Sequence, residues 1–286
     1  MKTTGLFSIH RYEIKAKYGE TFYLLPFGDI HRFAPLCDVE RWLAYLKWAK
    51  TKKNAYFLGM GDYDDLASTS ERTLLSDKKF HESTLETLDN LYKKNTLKLA
   101  KELEFMRGKL IGLLGGNHYA ELQSGINTDQ LLADHLNTKF LGVAAFIRLS
   151  ISSDTKHRGS YSIDIFAHHG RGSGQLAGAT INSVEKMMNI AEADIFLSGH
   201  DHQKGVRPIE KLTLSEGNGG LRLSKRKIML GRTGSFLKGY VENHASYIVD
   251  IAARPTELGV IKIEITPRRI QKDGDDRMEM DIHASV

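Results

Sequence analysis

The chain reads as an α/β protein on three observations. Short apolar runs of strand length alternate with segments of helical periodicity. The first such set runs strand, helix, strand, the order of a βαβ unit. Most of the buried runs lead into a polar motif: Asp29-Ile30-His31, Gly61-Asp62-Tyr63-Asp64-Asp65, Gly116-Asn117-His118, His168-His169-Gly170 and Gly199-His200-Asp201-His202. Strands that end in this way bring their motifs to one sheet edge, where α/β proteins place their sites.

Taken in order, Thr21 to Phe27 is a buried strand that delivers Asp29 and His31. Val39 to Ala49 is a helix with Trp42, Leu43, Leu46 and Ala49 on one face. Ala55 to Met60 is a second strand and delivers Asp62. Leu85, Leu88, Tyr92, Leu99, Leu103 and Met106 recur at near-heptad spacing. They predict one long amphipathic helix over 83–107, stopped by Gly108 and open to a dimer contact. Leu110 to Leu114 is the strand before Asn117 and His118. A short helix follows over 130–136, then strands over 144–151 and 161–167, a helix over 183–191 and a strand over 195–197. From there the texture is mostly β, with strands over 211–215, 221–230, 246–251 and 260–265, and a hairpin turn at Glu216 to Gly220. Pro267 to Val286 reads as a loose polar tail. No repeat or Gly/Ser linker divides the 286 residues, so one domain over 1–286 is expected.

Composition narrows the function. The chain is 41% hydrophobic and 26% charged, as in an ordinary globular protein. No apolar stretch is long enough for a bilayer span, and Met1 to Tyr12 lacks the apolar core of a signal peptide. Cys37 is the only cysteine, which excludes an intrachain disulfide and a thiolate metal site and fits a reducing cytoplasm. The net charge of +5 suits a polyanionic substrate, although the basic residues are scattered.

The motifs themselves offer carboxylate, imidazole and amide donors in numbers sufficient for two divalent metals. Asp62, central in the set, is the natural bridging carboxylate. Two metals 3.5–4 Å apart acidify a bridging water and neutralise phosphate oxygens, so hydrolysis of a phosphate ester is expected, with Mn, Fe, Zn or Ni as the ion. A leaving alkoxide also needs a proton. His118 is free to supply it if Asn117 takes the metal, and a nearby carboxylate would fix its tautomer. Each motif alone has a bland reading as a turn or a core histidine; five in order at strand ends do not.

These residues resemble the calcineurin-like metallophosphoesterase superfamily, whose pattern is D-x-H, G-D-x-x-D, G-N-H-[DE], H-x or H-G, and G-H-x-H. The resemblance runs from Phe27 to about His202. It implies a four-layer αββα sandwich with a long helical insertion. It also implies one metal held by Asp29, His31, Asp62 and His202, and a second held by Asp62, Asn117, a histidine of the 168/169 pair and His200. His118 would be the general acid and Asp65 the residue that orients it. An H-G register picks His169 and an H-x-G register picks His168; the reading leans to His169. Tyr119 stands where the family has Asp or Glu. Leu66 stands where protein Ser/Thr phosphatases have an arginine, which disfavours a phosphoprotein substrate.

The segment from Arg232 to Tyr240, with Ser246 and Tyr247, is similar to segments of bacteriophage-borne members and points to DNA or nucleotide substrates. Three readings follow: a phosphodiesterase or nuclease attacking through the bridging hydroxide, a small-molecule phosphomonoesterase or cyclic-nucleotide diesterase, and a catalytically silent scaffold. Lys94, Lys98 and Lys101, or Arg222, Lys225, Arg226 and Lys227, could track a nucleic-acid backbone; a solvated face explains either group as well. The glycines from Gly170 to Gly174 could hold phosphate oxygens through backbone amides.

Overall fold

A computed structural model describes residues 7–77, 80–152, 160–172, 176–217, 220–250, 252–272 and 275–286. The strands are β1 (Phe7–Lys15), β2 (Phe22–Phe27), β3 (Ala55–Gly59), β4 (Leu110–Leu113), β5 (Ala144–Ser152), β6 (Ser160–His168), β7 (Ile195–Ser198), β8 (Lys204–Gly217), β9 (Gly220–Ser235), β10 (Gly259–Val260), β11 (Lys262–Lys272) and β12 (Asp275–Ser285). The helices are α1 (Val39–Lys50), α2 (Thr69–Asp77), α3 (Glu82–Glu102), α4 (Thr128–His135), α5 (Ala177–Glu185) and α6 (Tyr247–Asp250). None of the described helices is long and apolar enough to cross a membrane.

The strands form two sheets. One has the order β1-β5-β6-β7-β9-β10, with β8 paired to β9; the other has the order β12-β11-β2-β3-β4. β2, β3 and β4 are mutually parallel, as are β6, β7 and β9. The continuous apolar sequences of β2, β3, β4 and β7 follow from burial on both faces. Leu24, Leu58, Ile111, Ile165, Leu197, Met229, Ile263 and Ile282 share one core, drawn from both sheets. A second core joins β2, β3 and β4 to α1, α3 and α4 through Phe27, Trp42, Leu46, Phe57, Leu99, Leu113 and Leu132. A third joins Phe166, Phe196 and Leu230 to Val184 and Met187 at α5. A side chain such as Trp42, 2% exposed, stabilises the fold by about 1.5–3 kcal/mol through burial.

Helix α1 starts where Asp38 accepts the Arg41 N–H at 3.0 Å and ends with Lys47 and Lys50 against the helix dipole. Its apolar face is Trp42, Tyr45, Leu46 and Ala49; Leu43 is exposed. The long helix begins as expected but ends at Glu102, and a 3₁₀ turn carries the chain to Gly108 at φ +74°. The helix expected over 183–191 begins at Ala177 and gives way to a 3₁₀ turn after Glu185. Helix α2 and strand β1 carry too weak a periodicity to be read from sequence.

Two expectations are corrected. Of the segment expected as a strand over 246–251, residues 246–250 are not one, and Ile251 lies outside the described residues. Ser246 Oγ accepts the Val249 N–H at 3.2 Å, a cap that turns Tyr247–Asp250 into helix despite its β-branched residues. The stretch over 267–286 is not a loose tail. β11 and β12 pair residue for residue from Lys262↔Ser285 to Lys272↔Asp275. The polar texture reflects an edge hairpin with one buried face, on which Ile263, Ile265, Met280 and Ile282 lie.

Candidate metal centre

The C-terminal ends of β2, β3 and β4 meet those of β6 and β7. His200 N donates to both carboxylate oxygens of Asp29, at 3.1 and 2.9 Å, and Phe236 N and Ser235 Oγ donate to the Asp29 carbonyl. Asp29, His31, Asp62, His200 and His202 all have φ between +46° and +73°. This left-handed region is one that Asp and His tolerate better than most residues, at roughly 1–3 kcal/mol each. It turns each side chain sharply off its strand end into one cleft. Gly116 permits the closest approach there. A Cβ on it would stand 2.0 Å from Asp62 Oδ1.

The donor atoms fall into two sets. His31 Nε2 and His202 Nε2 are 3.1 Å apart; His202 Nε2 is 3.7 Å from Asp29 Oδ1, and His31 Nε2 is 3.7 Å from Asp62 Oδ2. On the other side, His169 Nε2 lies 3.3 Å from Asp62 Oδ2, 3.0 Å from Asn117 Oδ1 and 3.3 Å from His200 Nδ1. Asp62 divides its oxygens. Oδ1 accepts the Asn117 and His118 N–H groups at 2.6 and 2.9 Å, whereas Oδ2 is buried and faces the His31 and His169 imidazoles at 3.7 and 3.3 Å. A buried carboxylate oxygen turned to imidazoles on both sides, between two groups of imidazole and carboxylate donors, fits divalent cations. His169 Nδ1 donates to the Met60 carbonyl at 2.8 Å, which turns the Nε2 lone pair inward.

The electrostatics agree with this donor set. Burial pushes Asp29 up to about 7. Burial would also raise Asp62, but the charges of His169 and His31 outweigh it and hold Asp62 well below the usual carboxylate range. Burial opposes a charge on His169 as well, yet Asp62 and Asp29 pull it up to about 9. Burial, reinforced by neighbouring histidines, lowers His31, His202 and, to about 4, His200. These neutral imidazoles are in their ligating state, and a cation among them would displace the Nε2 proton of His169.

At the rim, His118 Nδ1 donates to Asp65 Oδ1 at 2.6 Å. Burial lowers the affinity of His118 for a second proton, but the Asp65 hydrogen bond and the Asp62 charge outweigh it and raise the pKa. Asp65 is lowered: burial is outweighed by the same hydrogen bond and by the nearby histidines.

The structure thus brings Asp29, His31, Asp62, Asn117, His169, His200 and His202 into one cleft, with His118 and Asp65 at its edge. His168 stays outside, where its Nδ1 accepts the Gly170 N–H at 2.7 Å. The alternation along β6 separates the two histidines. Ile163, Ile165 and Ala167 face the inter-sheet core, and His169 continues their face. Of the phosphate-cradle glycines, Gly174 lies outside the described residues. The basic hairpin is largely engaged elsewhere: Lys225 pairs with Glu210, Arg226 with Glu192 and Asp194, and Lys227 donates to the Ile282 carbonyl.

One supporting role is not visible in the sequence, where Arg232 figures only at the start of the 232–240 segment. Arg232, 1% exposed, pairs with Asp201 at 3.2 Å and donates to the Gly199 carbonyl at 2.5 Å and to Ser198 Oγ at 3.1 Å. It braces the loop that presents His200 and His202. Its partners are mostly loop backbone and small hydroxyls, which leave no motif.

No protein-family model matches the chain, and no curated protein matches it. Among solved structures, the chain is similar to vacuolar protein sorting 29 from Cryptosporidium parvum, at 13% identity and a TM-score of 0.34, with 93% of this chain and 99% of that chain covered.

Proposed function

We propose that the chain is a two-metal phosphoesterase of the calcineurin-like metallophosphoesterase type that hydrolyses phosphodiesters, with DNA or nucleotides as the substrate class. The observation that carries this reading is Asp62 Oδ2, buried and set between two donor groups, with His31 Nε2 at 3.7 Å and His169 Nε2 at 3.3 Å. Asp29, His31, Asp62 and His202 would hold one ion; Asp62, Asn117, His169 and His200 would hold the other. Mn is the expected metal for this oxygen-and-nitrogen set. The three cores support the four-layer helix–sheet–sheet–helix arrangement, with α2 and α3 as the insertion between β3 and β4.

When bound, the ions supply an activated water and charge neutralisation for the phosphate oxygens. The protein's own residues do the rest. Asp65 fixes the His118 tautomer with the proton on Nδ1, which leaves Nε2 to carry the second proton for the leaving alkoxide. The raised pKa keeps His118 protonated in a larger fraction of molecules near neutral pH. The engagement of Lys225 and Arg226 within the protein favours, as the second reading, a small nucleotide or monoester over a long tracked polyanion.

The test is hydrolysis by metal-stripped protein refilled with Mn, on linear DNA and on bis- and mono-p-nitrophenyl phosphate. The diesters should be cleaved. His118→Ala should lose 10²–10⁴-fold on DNA, whose alkoxide leaves poorly, and far less on the p-nitrophenyl diester. Monoester turnover without DNA cleavage selects the second reading. No turnover of any ester with two ions bound identifies a silent scaffold and overturns the proposal.

A further inference from the structure

Tyr119 departs from the acidic residue that the family pattern places after Gly-Asn-His, and the structure shows what its ring does. The guanidinium of Arg72, on α2, lies 3.9 Å from the centre of the Tyr119 ring. The same Arg72 NH1 donates to three backbone carbonyls: Ala67 at 2.6 Å, Asn117 at 2.8 Å and Tyr119 at 2.9 Å. Two stretches of chain meet here. One holds Asp65 and runs on to Ala67; the other holds Asn117, His118 and Tyr119. They touch directly through the Leu66 and Ala67 N–H groups, which donate to the His118 carbonyl at 3.2 and 3.4 Å.

Arg72 therefore ties the stretch that carries Asp65 to the stretch that carries His118. Both flanks of His118 have their carbonyls on its guanidinium. A planar guanidinium can stack on a ring while its N–H groups reach carbonyls; a lysine ammonium cannot do both. The contact matters because proton donors tolerate little displacement. A shift of about 1 Å costs on the order of 10²-fold in rate.

We infer that Arg72 is a positioning residue for the Asp65–His118 pair, with Tyr119 as the surface on which its guanidinium rests. The inference builds on the reading of His118 as the general acid. Arg72 acts by holding the 2.6 Å contact between His118 Nδ1 and Asp65 Oδ1 in register.

The experiment uses the full Mn-loaded chain with Arg72→Ala and Arg72→Lys, and Tyr119→Leu as the variant that removes only the ring. Thermal unfolding and bound-metal content come first. The expected result is two ions per chain in each variant, and a 10–100-fold loss of kcat on DNA against less than threefold on bis-p-nitrophenyl phosphate. Arg72→Lys should rescue little, and Tyr119→Leu should show the same pattern at smaller size. In protein loaded with diamagnetic Zn in place of Mn, the downfield proton resonance of the His118 Nδ1–H, assigned by its loss in His118→Ala, should weaken or exchange faster in Arg72→Ala. That signal reports the Asp65 contact whether or not His118 proves to be the acid, so a failure of the acid reading remains distinguishable. An unchanged resonance, equal losses on both substrates, or full rescue by lysine would overturn the role of Arg72.

Discussion

Asp62 illustrates how a single side chain can hold the backbone with one oxygen and present the other to a candidate cation site. Its Oδ1 ties down the Asn117 and His118 amides, and its Oδ2 is left for a cation. Asp62→Asn keeps an acceptor for those amides but replaces the anionic oxygen by an N–H donor. The expected outcome is a fall from two bound divalent ions per chain to one or none, measured by elemental analysis after dialysis. Retention of two ions would refute the bridge. Asp129 tests a different property, the electrostatic load that the site imposes on its surroundings. Burial, opposed by the Gly116 N–H at 3.0 Å and reinforced by the Asp62 charge, pushes it up to about 7. Below about pH 4 this carboxyl is protonated in both the folded and the unfolded chain. As pH rises towards 7 the unfolded chain ionises first, so the stability that Asp129 contributes in acid is progressively lost. In metal-free protein, Asp129→Asn, which does not titrate, should therefore gain on wild type between pH 5 and pH 8. At about 1.4 kcal/mol per pKa unit the gain is at most a few kcal/mol. Urea unfolding at the two pH values measures it; a difference that does not change with pH would contradict the shift.

At the scale of elements, the parallel strands were the legible part of the chain. β2, β3, β4 and β7 are buried on both faces, so their sequences are unbroken apolar runs, and the motif after each is where the site begins. Elements with one face in water were harder. β12 alternates polar and apolar residues and reads as tail until β11 supplies its register. Helix α6 depends on one serine hydroxyl. The candidate site was legible to the same degree: side chains that point into the cleft form motifs, whereas Arg72 works on backbone carbonyls, which every residue possesses, and Arg232 divides its contacts among carbonyls, serine hydroxyls and Asp201. Which of His168 and His169 faces the cleft follows from the two-residue alternation of β6, carried one step past its end. The exposed lysines at 94, 98 and 101 follow from the same helical geometry that buries Asn95, Leu99 and Ala100.

For the whole molecule, the C-terminal hairpin closes the core that the two sheets share. Ile263 pairs with Leu24 and Ile265 with Phe22, and their side chains lie with Met229 and Ile282 in that core. Deletion of residues 262–286 should strip β2 of its neighbour and expose a row of isoleucines. The shortened chain should show no cooperative thermal transition by circular dichroism and should bind a hydrophobic dye. A sharp transition within about 5 °C of the full chain would show that the hairpin is dispensable, since the loss of so much packing shifts a midpoint much further. The pairing of β2 with β11 also bears on how the molecule folds. β2 and β11 lie far apart in the sequence, so their pairing closes a long loop and is one of the slow contacts of folding. Until β11 docks, the strand that carries Asp29 and His31 to the cleft keeps one edge unpaired and open to any other extended segment, so the half-folded chain is the species prone to aggregate.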